Sequence, residues 1–341
     1  MNINTKEKQH TVPRFILRNF AVKNKLYSYD KYTGKIYKSS VNDSGCERGF
    51  YDFEIKIDSH IIQDSIEAKL CEIEGFASHV VKKILENDTV TDLTDAEKDN
   101  MVYFLAAQMM RTHNVKYNFK SMPGLLRNKI KNRMPKLAND PNIEAQFPDF
   151  DEDSLNMHFD MLIAESTERL KPYFKELEWI LVRTDENNPF IMGDSPVVIF
   201  NELYHDKKES FNFSKYALVY KGSCVFFPLS PTRALWLVDP GVIEKYENLT
   251  KEMHGMLFLS LIAGIELKKP WKEMQSMLDR RNGFKKTKII DFSSKEVKRF
   301  NYFEISHAER KVFSKFSNFE QVEELIKKDE SYRHGMRTTC C

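Results

Sequence analysis

Between residues 179 and 238 the chain breaks into short apolar runs separated by turn residues, whereas on both sides its hydrophobic residues recur at helical spacings. That switch of period restricts the fold more than any other feature. Runs at 179–182, 190–192, 197–200, 216–220, 224–227 and 234–238 read as strands. Asn187-Asn188-Pro189, Lys221-Gly222-Ser223 and Leu229-Ser230-Pro231 join several of them, and such short links favour antiparallel neighbours. Upstream, Ile62, Ile66, Ile73, Ala77, Val80 and Ile84 make one stripe of a helix expected over 59–87. Thr94-Asp95-Ala96-Glu97 is a capping box that starts a second helix, expected to run to about Asn118. A third spans 154–170. Downstream, helices are expected at 242–267, at 318–328, and after the capping box Ser293-Ser294-Lys295-Glu296, where Asn301, Ile305, Ala308 and Val312 align.

Near the start, Pro13 suits the first turn of a short helix whose apolar face holds Ile16, Leu17 and Phe20. Leu26 to Tyr29 and Lys35 to Tyr37 flank Gly34 as a hairpin. The resulting class is α+β: a helical bundle from both ends of the chain with an inserted antiparallel β-meander and an N-terminal β-hairpin. One domain is expected over 1–320 (helical 59–175, β-meander 178–240, helical 242–328), with 329–341 a flexible tail.

His10, Pro13, Leu17 and Phe20 form a His-x-x-Pro-x-x-x-Leu-x-x-Phe pattern. Ile66-Glu67, Ile73-Glu74, Gln108-x-x-Arg111-Thr112, Phe190 to Val197, Pro228-Leu229-Ser230-Pro231 and a last helix with Asn301, Ala308 and Ser314 follow in order. This ordered set resembles the family known as domain of unknown function 4238 over roughly residues 8 to 316. Two positions depart from it: Met192-Gly193 stands where Thr-Ser is more usual, and His113 where proline is commoner. The resemblance places an aspartate at Asp194 and implies no activity.

The candidate site residues are polar groups in costly places. His10 lies at the positive end of the first helix, which favours a neutral imidazole. Glu67 and Glu74, seven apart, edge the apolar stripe of their helix. Gln108 and Arg111 share a face with Phe104 and Val115, so the guanidinium needs an anion, either a glutamate across a helical hairpin or a substrate phosphate. Asp194 sits between two strands, as a turn acceptor or an exposed acid. Asn301 on a buried face must hydrogen-bond, either to lock helices or to face the same pocket as Arg111. From 116 to 136 there are seven basic residues and no acidic one, with Tyr117 and Phe119 interleaved. Lys129, Lys131 and Arg133 are therefore candidates for nucleic-acid contact, while the acidic loop at 140–153 offers neutralisation instead.

A hydrophobic fraction of 41%, with 25 Phe and 14 Tyr, is ample for a core. The formal charge of +2 confines any nucleic-acid surface to a local patch. Five cysteines without a Cys-x-x-Cys suit a reducing cytoplasm and exclude a cysteine zinc cage. The pair Cys340-Cys341 reads as chance rather than a lipidation tail. No run is long enough for a membrane span, and no Gly-rich phosphate loop or hydrolase elbow is present. Two functions lead, with a small-molecule transferase a third for which nothing selects a donor. One is a hydrolase or nuclease-like enzyme acting on a phosphate-containing substrate or nucleic acid, with His10 as base or metal ligand, Asp194 and Glu74 as acid/base groups or ligands, and Arg111 as charge stabiliser. A divalent metal fits that set, though no spacing demands one. The other is a non-catalytic nucleic-acid- or protein-binding module whose buried polar residues are structural. Oligomeric state is not readable from the sequence.

Overall fold

The computed structural model describes residues 8–57, 60–134, 140–203, 218–263 and 271–337. The strands are β1 (Lys8–His10), β2 (Lys25–Asp30), β3 (Lys35–Ser40), β4 (Cys46–Arg48), β5 (Phe53–Ile57), β6 (His60–Asp64), β7 (Glu178–Arg183), β8 (Met192–Gly193), β9 (Val198–Asn201), β10 (Ser223–Ser230), β11 (Arg233–Val238), β12 (Ile289–Asp291) and β13 (Lys311–Ser314). The helices are α1 (Arg14–Asn19), α2 (Glu67–Asn87), α3 (Asp95–Met110), α4 (His113–Arg133), α5 (Pro141–Gln146), α6 (Glu152–Lys175), α7 (Pro240–Ala263), α8 (Trp271–Asn282), α9 (Ser294–His307) and α10 (Glu320–Lys328). The protein is α+β.

A five-stranded sheet in the order β12-β7-β11-β10-β9 divides the core. Its strands alternate faces with period two, and both faces are buried. Trp179, Leu181, Val225, Phe227, Leu235 and Leu237 point into the larger cluster, with the apolar sides of α1, α2, α3 and α6. Ile180, Val182, Phe226, Ala234, Trp236 and Val238 point the other way, onto Phe284, Phe292 and the Val297, Phe300 and Phe303 face of α9. α1 is the wedge of the larger cluster: Ile16, Leu17 and Phe20 are fully buried, each contributing about 1.5–3 kcal/mol. Asn19 Nδ2 ties it to Leu229 O at 2.8 Å. Gly45 lets the chain before it pass closely, since a Cβ there would meet Val12 Cβ at 2.9 Å and the residue has φ +58°.

The expected hairpin forms as β2 and β3, but it belongs to a four-stranded sheet, β3-β2-β13-β8, that joins three distant parts of the chain. β12, from beyond the meander, adds to β7 in parallel.

Several boundaries differ from the sequence reading. Residues 60–64 are strand, not the start of the first long helix, because they pair with β5 and the β-branched Ile61 and Ile62 are exposed on that hairpin. The second helix does not run to Asn118: it stops at Met110, and Thr112 caps a new helix by accepting Val115 N at 3.3 Å. α9 ends at His307, so Ala308 and Val312 are not on it. Residues 218–220 form a turn and bend, and the rest of the strand expected at 216–220 lies outside the described residues, as do Lys136, Cys340 and Cys341. The expected loose tail is docked as far as Arg337: Arg333 Nη1 donates to Lys31 O at 2.9 Å, and Asn118 Nδ2 to Met336 O at 3.0 Å. Among the described residues no helix is long and apolar enough to cross a membrane.

Candidate functional site

The break between α3 and α4 places a guanidinium whose anion comes from another helix. Arg111 is 1% exposed and ends α3 with a non-helical backbone (φ −85°, ψ 33°). Its Nη2 lies 2.7 Å from Glu74 Oε1. That approach is oblique, so Nη2 has an ion partner but no aligned hydrogen bond. Nε donates to Gln108 Oε1 at 2.8 Å, and Gln108 Nε2 in turn donates to Thr11 O at 2.8 Å. The Arg111 carbonyl accepts the Tyr51 hydroxyl at 3.3 Å. Glu74 and Glu67 together raise the Arg111 pKa against its burial, so it stays charged.

His10 closes the same cluster from the end of β1. Burial, then Arg14, holds its pKa below the usual histidine value, while the Val41 backbone bond and Glu74 oppose them. Nε2 is buried without a partner, so the Val41 bond assigns the proton to Nδ1 and leaves Nε2 a free lone pair. Glu67, at the first turn of α2, has its pKa raised by burial, with Arg111 opposing and Glu74 reinforcing. Its Oε2 is also buried and unpartnered, while Cys71 Sγ contacts Oε1 at 3.8 Å. Two unpartnered buried atoms, His10 Nε2 and Glu67 Oε2, thus belong with the Arg111–Glu74 ion pair to one set of electrostatically coupled groups. One edge is open: Glu74 is 20% exposed, and Cys71 and Arg14 are exposed.

A neutral imidazole, a carboxyl biased toward its protonated form and a fixed cation can accept one proton, donate another and offset negative charge. Among the described residues, no group of three or more His, Cys, Asp or Glu is arranged to hold a metal ion.

Asp194 and Asn301, also singled out from the sequence, are each satisfied by backbone groups. Asp194 spends both oxygens on backbone: Oδ1 accepts Glu309 N at 2.7 Å, and Oδ2 accepts Arg310 N and Lys311 N at 2.9 and 2.8 Å. It is the turn acceptor that fixes the loop leading to β13, and a carboxylate so occupied is not free for acid–base work. Asn301 is likewise matched, Oδ1 to Ile191 N at 3.1 Å and Nδ2 to Pro189 O at 3.0 Å. Beside them lies Glu304, fully buried, with Oε2 on Gly193 N at 2.8 Å and its pKa well above the usual carboxyl value from burial. Fully buried Lys31 donates to Ile305 O at 2.8 Å and also to Ala308 O.

Of the basic stretch, Lys131 lies 3.4 Å from Glu144 and Arg127 2.8 Å from Asp149, so the acidic loop neutralises part of it. Lys116 turns inward and donates to Phe50 O. Lys129 is half-buried and Arg133 exposed at the end of α4. Sequence reasoning missed Tyr51 and Gln9, whose Oε1 accepts Tyr51 N at 2.8 Å, because neither lies in a periodic element. It also missed Asp160, although a carboxylate next to buried Phe159 on an amphipathic helix was a readable signal.

The family model described as "Protein of unknown function (DUF4238)" matches residues 8–318. No curated protein and no solved structure matches the chain.

Proposed function

The chain belongs to the DUF4238 family, and on the geometry of its site we propose that it is a hydrolase acting on a phosphate-containing substrate. His10 Nε2 is the general base that takes a proton from the attacking hydroxyl or water. Glu67 is the general acid at the leaving oxygen, and Arg111 offsets charge as it builds on the phosphoryl oxygens. Glu74 orients Arg111, and Gln108 holds it from the other side. The observation that carries this reading is the grouping of two unpartnered buried polar atoms, His10 Nε2 and Glu67 Oε2, around the Arg111–Glu74 ion pair. With the basic stretch of α4 partly neutralised, a small phosphoester fits better than a long polynucleotide. The three described cysteines, Cys46, Cys71 and Cys224, are free, in keeping with a cytoplasmic setting.

One observation favours the alternative of a non-catalytic module with a structural polar network: the Nε, carbonyl and ion pair of Arg111 are all satisfied internally. Turnover of chromogenic phosphomonoesters and phosphodiesters by the wild type, His10→Asn and Glu67→Gln decides between them. Each variant is expected to fold normally and lose about 10²-fold or more in kcat, the usual share of general acid–base catalysis. A wild type inert toward monoesters, diesters and oligonucleotides alike overturns the proposal, as does undiminished activity in both variants.

A further inference from the structure

Arg14 and Arg18 stand one helical turn apart on the exposed side of α1, away from the buried Ile16, Leu17 and Phe20. Among the described residues no carboxylate, carbonyl or ring pairs with either guanidinium. Residues four apart on a helix are neighbours, and like charges at that spacing repel. Arg14 is also the first residue of α1, where a positive charge opposes the free amide ends. No described residue offsets that placement, so the pair suits an anion that arrives from outside.

Arg14 borders the open edge of the candidate site. α1 packs against α2, the helix of Glu67, Cys71 and Glu74. After burial, Arg14 is the largest influence lowering the His10 pKa. Burial, then Glu67 and Glu74, hold the Cys71 thiol above its usual value, and Arg111 and Arg14 oppose them. One guanidinium is thus felt both by the imidazole and by the exposed thiol. His10 is 8% exposed with Nε2 unpartnered. The Arg111 charge nearby is met by Glu74, whereas no described residue meets that of Arg14.

We propose that Arg14, assisted by Arg18, binds the phosphate of a monoester dianion at this edge and so selects monoesters over diesters. The choice of phosphate rests on the hydrolase reading. A monoester carries nearly two negative charges near neutrality and a diester one, so an uncompensated pair of cations favours the former. The guanidinium fork matches two phosphate oxygens at once.

The probe is inorganic phosphate, and the readout is alkylation of Cys71 in the full chain by iodoacetamide, followed by peptide mass spectrometry. Each protein is compared with itself, with and without phosphate, so that a direct effect of Arg14 on the thiol cancels. Phosphate is expected to slow the wild-type reaction saturably, and sodium chloride of equal ionic strength to leave it unchanged. Arg14→Gln should raise the half-protecting concentration about tenfold or more, and Arg18→Gln by less. Neither should lower the melting temperature, since each removes a repulsion. In turnover, Arg14→Gln should act mainly on KM, raising it more for a phosphomonoester than for a diester. No protection by phosphate, equal protection in Arg14→Gln, or protection by chloride as strong as by phosphate overturns the proposal. A wild type that phosphate protects through Arg14, but that turns over no phosphoester, overturns the hydrolase reading alone. An active enzyme whose monoester KM is the same in Arg14→Gln overturns this assignment alone.

Discussion

Arg111 and Glu74 meet at 2.7 Å with unequal exposures, the arginine at 1% and the glutamate at 20%. The cation is sealed in the core and its anion reaches the open edge, so the pair joins the packed interior to the candidate site. Removing the anion leaves a buried charge beside Gln108, Tyr51 and Glu67, none of them as close an ion partner as Glu74. Glu74→Ala is expected to cost about 3 kcal/mol in urea unfolding, the lower end for orphaning a buried charge because the edge admits water. Arg111→Met should cost less than Glu74→Ala, since it removes the buried charge instead of abandoning it. A milder effect from Glu74→Ala than from Arg111→Met would contradict this.

Asp194 should behave as structure. Its two oxygens hold three backbone N–H groups of the loop before β13, and a hydrogen bond to a charged group contributes about 1.5–3 kcal/mol. Asp194→Ala is expected to lower stability by about 3 kcal/mol or more, leaving turnover per folded molecule unchanged. A variant of wild-type stability that loses all turnover would return Asp194 to the catalytic group.

If His10 and Glu67 are the base and the acid, the pH profile is set by opposite requirements. His10 must be neutral, and burial and Arg14 push its pKa below 6.5, so the rate rises with pH through a value under 6.5. Glu67 must be protonated, and burial pushes its pKa above 4.5, so the rate falls with pH through a value above 4.5. Maximal kcat/KM is therefore expected between those two values, with a fall on either side. His10→Asn should abolish the acid limb and Glu67→Gln the alkaline one. A profile that rises steadily to pH 9 in the wild type contradicts the assignment.

The parts of this protein that were legible in sequence are those where local chemistry and tertiary packing agree. Thr94 and Ser293 announce α3 and α9 because a capping box satisfies amides within four residues. The alternation in β7, β10 and β11 is visible because the sheet buries both faces. Arg111 was legible as a buried cation needing a carboxylate, and Glu74 supplies it. The break at Thr112 was not, because apolar residues keep their helical spacing across it and only Tyr51, from a distant loop, marks the interrupted carbonyl. Nor was the β13–β8 pairing beside Asp194, since it depends on contacts between residues more than a hundred apart.

The segment after Asp329 should be needed for stability. Glu309 is 5% exposed and takes both Nη atoms of Arg337, at 2.6 and 2.5 Å, the Tyr32 hydroxyl at 2.5 Å and Gly335 N at 3.1 Å. Arg337→Ala leaves a nearly buried carboxylate without its cation and is expected to cost about 2–3 kcal/mol. A chain ending at Asp329 should melt lower still. Equal melting temperatures for the shortened and full chains would show that the docked segment contributes nothing.

Asp160 gives the clearest pH signature in the fold. Burial raises its pKa from 3.8 to about 7, against the Ile66 amide bond and Lys116 and with Asp64 and Asp52 reinforcing. The native state then binds a proton that the unfolded chain releases above pH 4. Stability from this group is complete below the unfolded pKa and declines as pH rises through the native one. The loss is of the order of 4 kcal/mol across pH 4 to 7, levelling off above that. Asp160→Asn keeps an acceptor for Ile66 N and is neutral throughout. Its stability relative to wild type should be near zero at pH 3.5, grow to about pH 7 and then level off. Urea denaturation of the two proteins across that range measures the difference directly. Parallel curves would mean that Asp160 ionises normally and that its unpartnered oxygen finds a partner.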